Sequence, residues 1–554
     1  MRSGRVRGLR ILAIPSAAES RRRHRRRSVP GGAHREHDEE TAEEQLAQED
    51  ERTVHGHRIP KGSVSHRQFF FTEKLPSGAY SVHYVYGPVE KVECRIEGKI
   101  SGMPNVGLGS PILLDDGTYR SYGIARSTDQ RMMSTGIWES DDALSWRPRN
   151  LGQVEDTNLI LFENLPGDQS SLAPTSVLRL ADGRWRMYLW KHREGHLRLI
   201  VAESDDGLRW RVLDLEKPVL YHPHDGGLWK LAEGLAVHEA VKVEMPQEEV
   251  MRRKRLWTND SLGIYYNEQI GRFECYGVWL HPAIPDRRVD VDNAPGIHRL
   301  IYRRFSEDGI EWSDPELIIR PDERDPWDLQ FYFLGVQWYE DFMIGSLGYY
   351  RVEDGQQTMD TDLCFSRDGY RWDRPLRGGW IPRSEEGSGM MDTKGIYAGD
   401  RWIDRGDRWL VLYHGTPEPH NSRECVVGMM GAVFPKNRFI GVAAGRVPGG
   451  FMTEPFFLSQ PEVRLDASIR GWLRAELCDV FGRKLPGFHL MDSIPIRGDS
   501  EAHALRWKDA AIADHRFEML RLRFEYTDGV IYGVDSAGGT QTTSRRLRRE
   551  LPGI

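Results

Sequence analysis

The chain has 554 residues and a net charge of −7, with 39% hydrophobic and 29% charged side chains. This is the balance of a globular protein with room for two or three domains. The modest charge leaves no electrostatic footprint for nucleic acid or an anionic membrane, and no run of about 18 apolar residues marks a transmembrane helix.

Residues 1–55 carry arginine clusters (Arg21 to Arg23, Arg25 to Arg27) and then an acidic run from Glu36 to Glu51. Blocks of like charge stay solvated, so the segment reads as a disordered tail or an over-extended start of the reading frame. The apolar stretch from Leu9 to Ala18 is short and broken by Pro15, which argues against a secretory signal. A cytoplasmic location is expected, with secretion left open. Five scattered cysteines (Cys94, Cys275, Cys364, Cys425, Cys478) lack zinc or CxxC spacing and read as buried small hydrophobes.

From residue 104 onward an internal repeat organises the chain. The phrase Ser-x-Asp-Gly-x-x-Trp occurs at Ser204–Trp210, Ser306–Trp312 and Ser366–Trp372, with a degenerate copy at Ser140–Trp146 where Ala143 replaces Gly. Gly supplies the positive φ of a tight turn, Asp and Ser bond its backbone N–H groups, and Trp buries an apolar face. The phrase therefore reads as a structural turn. Aromatic-rich strands precede each copy, as in DGTYRSYGIA from Asp116 and DGRWRMYLW from Asp182. One unit is strand, hairpin, strand, loop, strand, turn, strand, which is a four-stranded propeller blade.

Five units are expected, at 104–160, 165–220, 255–320, 325–382 and 388–445, within a propeller spanning 56–450. The excess spacing after the second is a polar insertion near 228–254 with helical character. Segments ahead of Asn105, such as RQFFFTE and YSVHYVYG, are expected to supply the missing outer strand of the last blade. Beyond Gly450 the pattern changes to long alternating strands with Gly and Pro turns, expected to form a β-sandwich over 451–535, with a flexible tail at 536–554. The fold class is thus all-β, a five-bladed β-propeller followed by a C-terminal β-sandwich.

That architecture, over residues 105–535, resembles the glycoside hydrolase superfamily of invertases, levansucrases and arabinan- or xylan-cleaving enzymes (glycosyl hydrolase families 32 and 43), and bacterial invertase-like proteins in particular. The phrases that carry the resemblance are TNDSLGIYYN from Thr258, DPWDLQFYFLGVQ from Asp325, QTMDTDLCFSRDGYRW from Gln357, WIPR from Trp380 and the C-terminal LRAELCDVFGRKLPGF. It implies three carboxylates on innermost strands facing a central tunnel: a nucleophile or base, a residue that tunes a pKa, and a general acid. The chain departs from the invertase pattern. Its first unit, NVGLGSP from Asn105, lacks the expected aspartate, Arg324-Asp325-Pro326 falls in the fourth unit, and Glu274-Cys275 lies on a second strand.

Polar residues at the starts of inner strands converge on a propeller axis. They nominate Asp168, Asp260, Asp328 and Asp392 as catalytic carboxylates, with Asn259 and Gln330 beside them. Crowded carboxyls push one another's pKa values apart, as acid and base catalysis of glycoside cleavage needs. Asp260 and Asp328 lead because each precedes an aromatic run, including Tyr332, suited to sugar stacking. Asp292 and Asn293 in DVDNAPG, Asp360, Arg383 and His414 are further substrate contacts, with turn or structural roles as the competing reading. His222, His224 and Asp225 have ligand types, but Pro223 intervenes and no fourth ligand is evident, so no metal is expected.

The leading expectation is a glycoside hydrolase cleaving a glycosidic bond, possibly of a furanoside, with paired aspartates, no organic cofactor and a carbohydrate as partner. The alternative is a non-catalytic carbohydrate-binding propeller. A sialidase-like enzyme is disfavoured by the absence of an arginine triad.

Overall fold

The computed structural model describes residues 53–54, 57–58 and 67–535, except 99, 101, 130–131, 166–170, 194–195, 215–216, 226–244, 269, 283–296, 341, 421, 425 and 459. The N-terminal charged segment, most of the insertion and the C-terminal tail fall outside these residues. The described part is built of strands, with one α-helix, Gln247–Arg255. The all-β class is as expected.

Antiparallel sheets follow one another along the chain. The first orders Asn105–Leu108, Tyr119–Arg126, Met133–Ser140 and Ser145–Pro148. The second contains Leu172–Arg179, Trp185–Arg193, His196–Ser204 and Arg211–Val212. The third contains Leu262–Asn267, Arg272–Pro282, Ile297–Ser306 and Glu316–Ile319. A fourth unit (Gln330–Tyr339, Phe342–Glu353, Gln356–Ser366) and a fifth (Gly395–Ala398, Arg408–Thr416, Gly428–Pro435) are joined by one parallel bridge, Met359 to Gly395. Their strands are covered on both faces and read as near-continuous apolar runs. Phe342–Glu353 buries its first nine residues in succession.

The repeated turns behave as the sequence predicts. In the second sheet Ser204 Oγ donates to Asp206 Oδ1 (3.0 Å) and accepts from Gly207 N (2.8 Å). The same carboxylate oxygen accepts from Leu208 N (2.7 Å) and Arg209 N (2.9 Å), and Gly207 takes φ 70°. Each turn is also gripped by another sheet. Tyr122 of the first donates to Gly207 O (2.6 Å), Tyr188 of the second to Gly309 O (2.9 Å), and Arg303 of the third to Asp368 O (2.9 Å). Tyr339 of the fourth unit bonds Asn437, just after the fifth. Arg405, just ahead of the fifth unit's strand Arg408–Thr416, bonds Asp142 O in the turn of the first sheet. The order of contacts is cyclic.

The fifth unit gains its outer strand from Glu90–Glu93, antiparallel to Gly428–Pro435, while Arg95–Ile96 runs parallel to Ser145–Pro148 of the first sheet. The two segments expected to close the ring go elsewhere. Val82–Tyr86 pairs with Ile440–Ala444, and Arg67–Gln68 pairs with Met519–Asp535, both in the C-terminal sheet. The reason is apolar burial. Phe69, Phe70 and Phe71 are buried, Phe71 stacks on Phe365 at 3.9 Å, and Phe70 packs against Phe451 at 5.2 Å. Arg67 and Arg438 converge on buried Asp466 at 2.5 and 2.8 Å. The C-terminal sheet has nine strands around Arg464–Asp479 and Met519–Asp535 and begins ahead of the expected boundary at 451. Cys94, Cys275, Cys364 and Cys478 are buried and unbridged, as expected of small hydrophobes.

Candidate functional site

The first strands of all five units line one cavity of about 590 Å³. Gly107 and Leu108, Pro174 and Thr175, Leu262 and Gly263, Tyr332 to Leu334, and Tyr397 and Ala398 contribute in that order. Small residues let these strands approach their neighbours closely. A Cβ on Gly107 would stand 2.8 Å from the His414 ring, and one on Gly335 would stand 2.7 Å from Asp400 Cα.

Asp260 lies at the cavity wall, exposed, and its carboxylate has no hydrogen-bond or ion-pair partner among the described residues. Its backbone is fixed, because Trp190 Nε1 donates to Asp260 O (2.7 Å) and the preceding Asn259 N donates to Val278 O (2.6 Å). Behind it His222 is buried, and burial depresses its pKa to about 4 against the pull of Asp260. The neutral ring accepts from His224 N at Nδ1 (3.1 Å), so Nε2 carries the proton and donates to Asn259 Oδ1 (2.8 Å). Helix Gln247–Arg255 anchors this corner. Its Arg253 binds buried Asp225 (2.9 Å), which also holds Arg198 (3.0 Å). His222, His224 and Asp225 thus have structural partners, and no group of metal-ligating side chains occurs among the described residues.

An aromatic wall faces Asp260. Tyr332 meets the His420 ring at 4.6 Å, and Tyr397 Oη bonds His420 Nδ1 at 2.6 Å. Burial, then the Asp260 charge, raises the Tyr332 pKa well above its ordinary value. Gln330 works from behind. Its Oε1 accepts from Arg299 N (3.0 Å) and Nη1 (2.8 Å), and that guanidinium lies 4.5 Å over Tyr350 and 5.7 Å over Tyr332. His414 lines the cavity and donates from Nε2 to Leu108 O (2.9 Å), with its pKa lowered by burial.

The other nominated residues take different places. Asp328 does not line this cavity. It is buried, receiving Arg351 through Nε (2.9 Å) and Nη2 (3.1 Å) and Val352 N (2.8 Å). Asp260 and Asp328 are therefore not a pair, because a guanidinium claims the second carboxylate. Asp360 and Arg383 join the same network, Arg383 bonding Asp360 (2.8 Å) and Glu353 (2.7 Å). Asp392 is wholly buried and holds Lys91 Nζ (2.6 Å) and Tyr413 Oη (3.0 Å). Burial alone would raise its pKa, but bonds to Lys91, Ser384 and Tyr413 lower it. Asp325 of the Arg-Asp-Pro motif is held by Arg374 (2.6 Å) and Arg377 (2.7 Å). Asp168, Asp292 and Asn293 lie outside the described residues.

The cavity also holds residues that the sequence did not single out: Asp400, Arg401, Glu418, Glu424 and Arg126. Asp400 sits in a run, KGIYAGDRWI, that reads as plain strand, yet Gly395–Ala398 ends two residues before it. The Gly399-Asp400-Arg401 step, a glycine followed by opposite charges inside an apolar run, is the signal that marks the break. Ser110 Oγ donates to the Asp400 carboxyl, and burial raises the pKa of that carboxyl against the pull of Arg401.

No protein-family model matches the chain, and no curated protein matches it significantly. Solved structures do resemble it. A thermostable family-43 glycoside hydrolase is 17% identical, with TM-score 0.37 over 59% of this chain and 89% of its own. A putative glycoside hydrolase from Bacteroides ovatus is 14% identical, with TM-score 0.38 over 64% and 94%. An N-acetylgalactosamine deacetylase from F. plautii, in complex with blood group B trisaccharide, is 14% identical, with TM-score 0.37 over 68% and 97%. At these values no residue role or activity carries over.

Proposed function

We propose that the five units are the blades of a five-bladed β-propeller, closed by Glu90–Glu93 and followed by a β-sandwich module, and that the axial cavity binds a carbohydrate and cleaves a glycosidic bond. The observation that carries the proposal is the free Asp260 carboxylate, which opens into a cavity walled by Tyr332, Tyr397 and His420 and lined by the first strand of every unit. The cyclic grip of each repeated turn supports the propeller reading. Aromatic faces stack on sugar rings, while a carboxylate can act as base or nucleophile at an anomeric carbon. The hydrogen-bonded Tyr397 and His420 pair supplies a group able to pass a proton in the same space. Asp328 takes no part in this reading, nor does Asp392.

A second reading, a sugar-binding propeller without catalysis, is favoured by one observation. Two of the four nominated carboxylates, Asp328 and Asp392, are claimed by cations. Asp260→Asn separates the two readings on a panel of aryl glycosides and oligosaccharides. A hydrolase loses turnover by about 10²–10⁴-fold. A binding protein keeps its affinity, and wild type shows no turnover.

A further inference from the structure

The turn Gly399–Trp402 touches all five units. Gly399 N donates to Leu412 O of the fifth (2.8 Å). Arg401 N donates to Ser110 Oγ beyond the first strand of the first sheet (3.2 Å). The Arg401 guanidinium reaches Val177 O of the second (3.1 Å) and Ile264 O of the third (3.3 Å). Trp402 N donates to Gln337 Oε1 of the fourth (3.3 Å). Tyr265 of the third sheet donates to Asp400 O (3.0 Å) while accepting from Val336 N of the fourth (2.7 Å). A single turn therefore fills the space where the five first strands converge. The gap left beside it, between Ser110, Thr175, Val177, Asp400 and Arg401, measures about 10 Å³. That is room for about one water molecule and far too little for a sugar.

The charges in the cavity lean one way. Asp260, Glu418, Glu424 and Asp400 line it against Arg126 and Arg401, and the Arg401 guanidinium is spent on backbone carbonyls. A carboxylate or sulfate entering this space would meet like charge, which costs binding in a partly desolvated site.

We infer that the cavity is a dead end, stoppered by Asp400 and Arg401, that admits the terminus of an uncharged glycan and not the interior of a chain. The inference rests on the carbohydrate reading above and names the class of ligand. A chain that enters along the line of the first strands must end where the turn Gly399–Trp402 fills the space between them. At the floor the Asp400 carboxyl can accept hydrogen bonds from sugar hydroxyls, so the last residue of a chain finds a partner there.

The test uses the full chain on an array of neutral oligosaccharides built from pentose and hexose units. Each is printed through its reducing or its non-reducing end, with the distal residue free, capped by a bulky ether, or oxidised to the uronate. The expected result is that every ligand bound requires one free distal end, and that capping or oxidation weakens it by at least about tenfold. Equal binding of capped and free forms overturns the dead end and leaves the carbohydrate reading standing. Equal binding of uronates overturns the preference for uncharged ends. Binding of no glycan at all sinks the carbohydrate reading and this inference with it.

Discussion

The aspartates of the repeated turns and those at the cavity or at strand starts are one residue type in two kinds of environment. In the turns, Asp206 and Asp308 accept from backbone N–H groups two and three residues ahead, and Asp142 does the same. Desolvation opposes ionisation there, yet N–H bonds from Ser145 and Leu144 hold Asp142 at about 2. Among the strand-start and cavity aspartates the partners differ from residue to residue. Asp260 is free among the described residues, Asp400 meets a hydroxyl at the floor, Asp328 is claimed by Arg351, and Asp392 by Lys91. A local motif carries its partners with it. An isolated aspartate takes whatever the fold brings, here from as far as 301 residues away.

The comparison breaks most sharply at Asp260. Asp260→Asn is expected to lower glycoside turnover by about 10²–10⁴-fold while leaving the unfolding midpoint in place, because the side chain supports nothing. Loss of fold in parallel with activity would put Asp260 among the structural aspartates. Lys91→Met tests the opposite extreme. It strands the Asp392 carboxylate in a dry site and should cost about 3–5 kcal/mol in urea denaturation. A loss too small to resolve would mean that Asp392 is solvated or finds another partner.

A third aspartate sharpens the contrast through pH. Asp362 is buried, and desolvation raises its pKa from 3.8 to about 6, despite bonds from Tyr86, Leu363 N and Gly378 N. A carboxyl with a raised folded-state pKa favours the folded state when protonated. Its contribution is therefore full below pH 3.8 and is lost as pH rises through about 6. The loss amounts to about 3 kcal/mol at most. Thermal unfolding between pH 4 and 7 should show this decline in the wild type, and Asp362→Asn should flatten it. Parallel slopes for the two proteins would remove Asp362 as the cause. The smallest effect is expected in the turns. Asp206→Ala should cost about 1 kcal/mol, since its N–H partners reach water when released. A cost equal to that of Lys91→Met would erase the distinction between the two groups.

How much was legible follows the same division. Ser204, Asp206, Gly207 and Trp210 announce their turn because the bonds of the Ser204 and Asp206 side chains close within it. The strand pattern and the all-β class follow from equally short periods. The strand that completes the fifth unit was harder to find. Glu90–Glu93 is short and charged, while the aromatic runs on either side of it were more conspicuous but belong to the C-terminal sheet. Asp260 was nominated from a strand start, Tyr332 from the aromatic run that follows one and His414 as a further substrate contact, and all three line the cavity. Asp328 was nominated from a strand start like Asp260 and does not, because Arg351 lies on the neighbouring strand.

By itself, then, the sequence determined the repeat, its turns, the change of pattern after residue 450 and the kind of residue that collects at strand starts. Each rests on interactions within one hairpin, whose strength depends on neighbours along the chain. Tertiary structure alone decided which carboxylates stay free, where residues 67–93 pair, and that a Gly-Asp-Arg turn would bond to all five units. Those outcomes depend on burial and on competition among distant cations and hydroxyls, and neither is encoded at any single position.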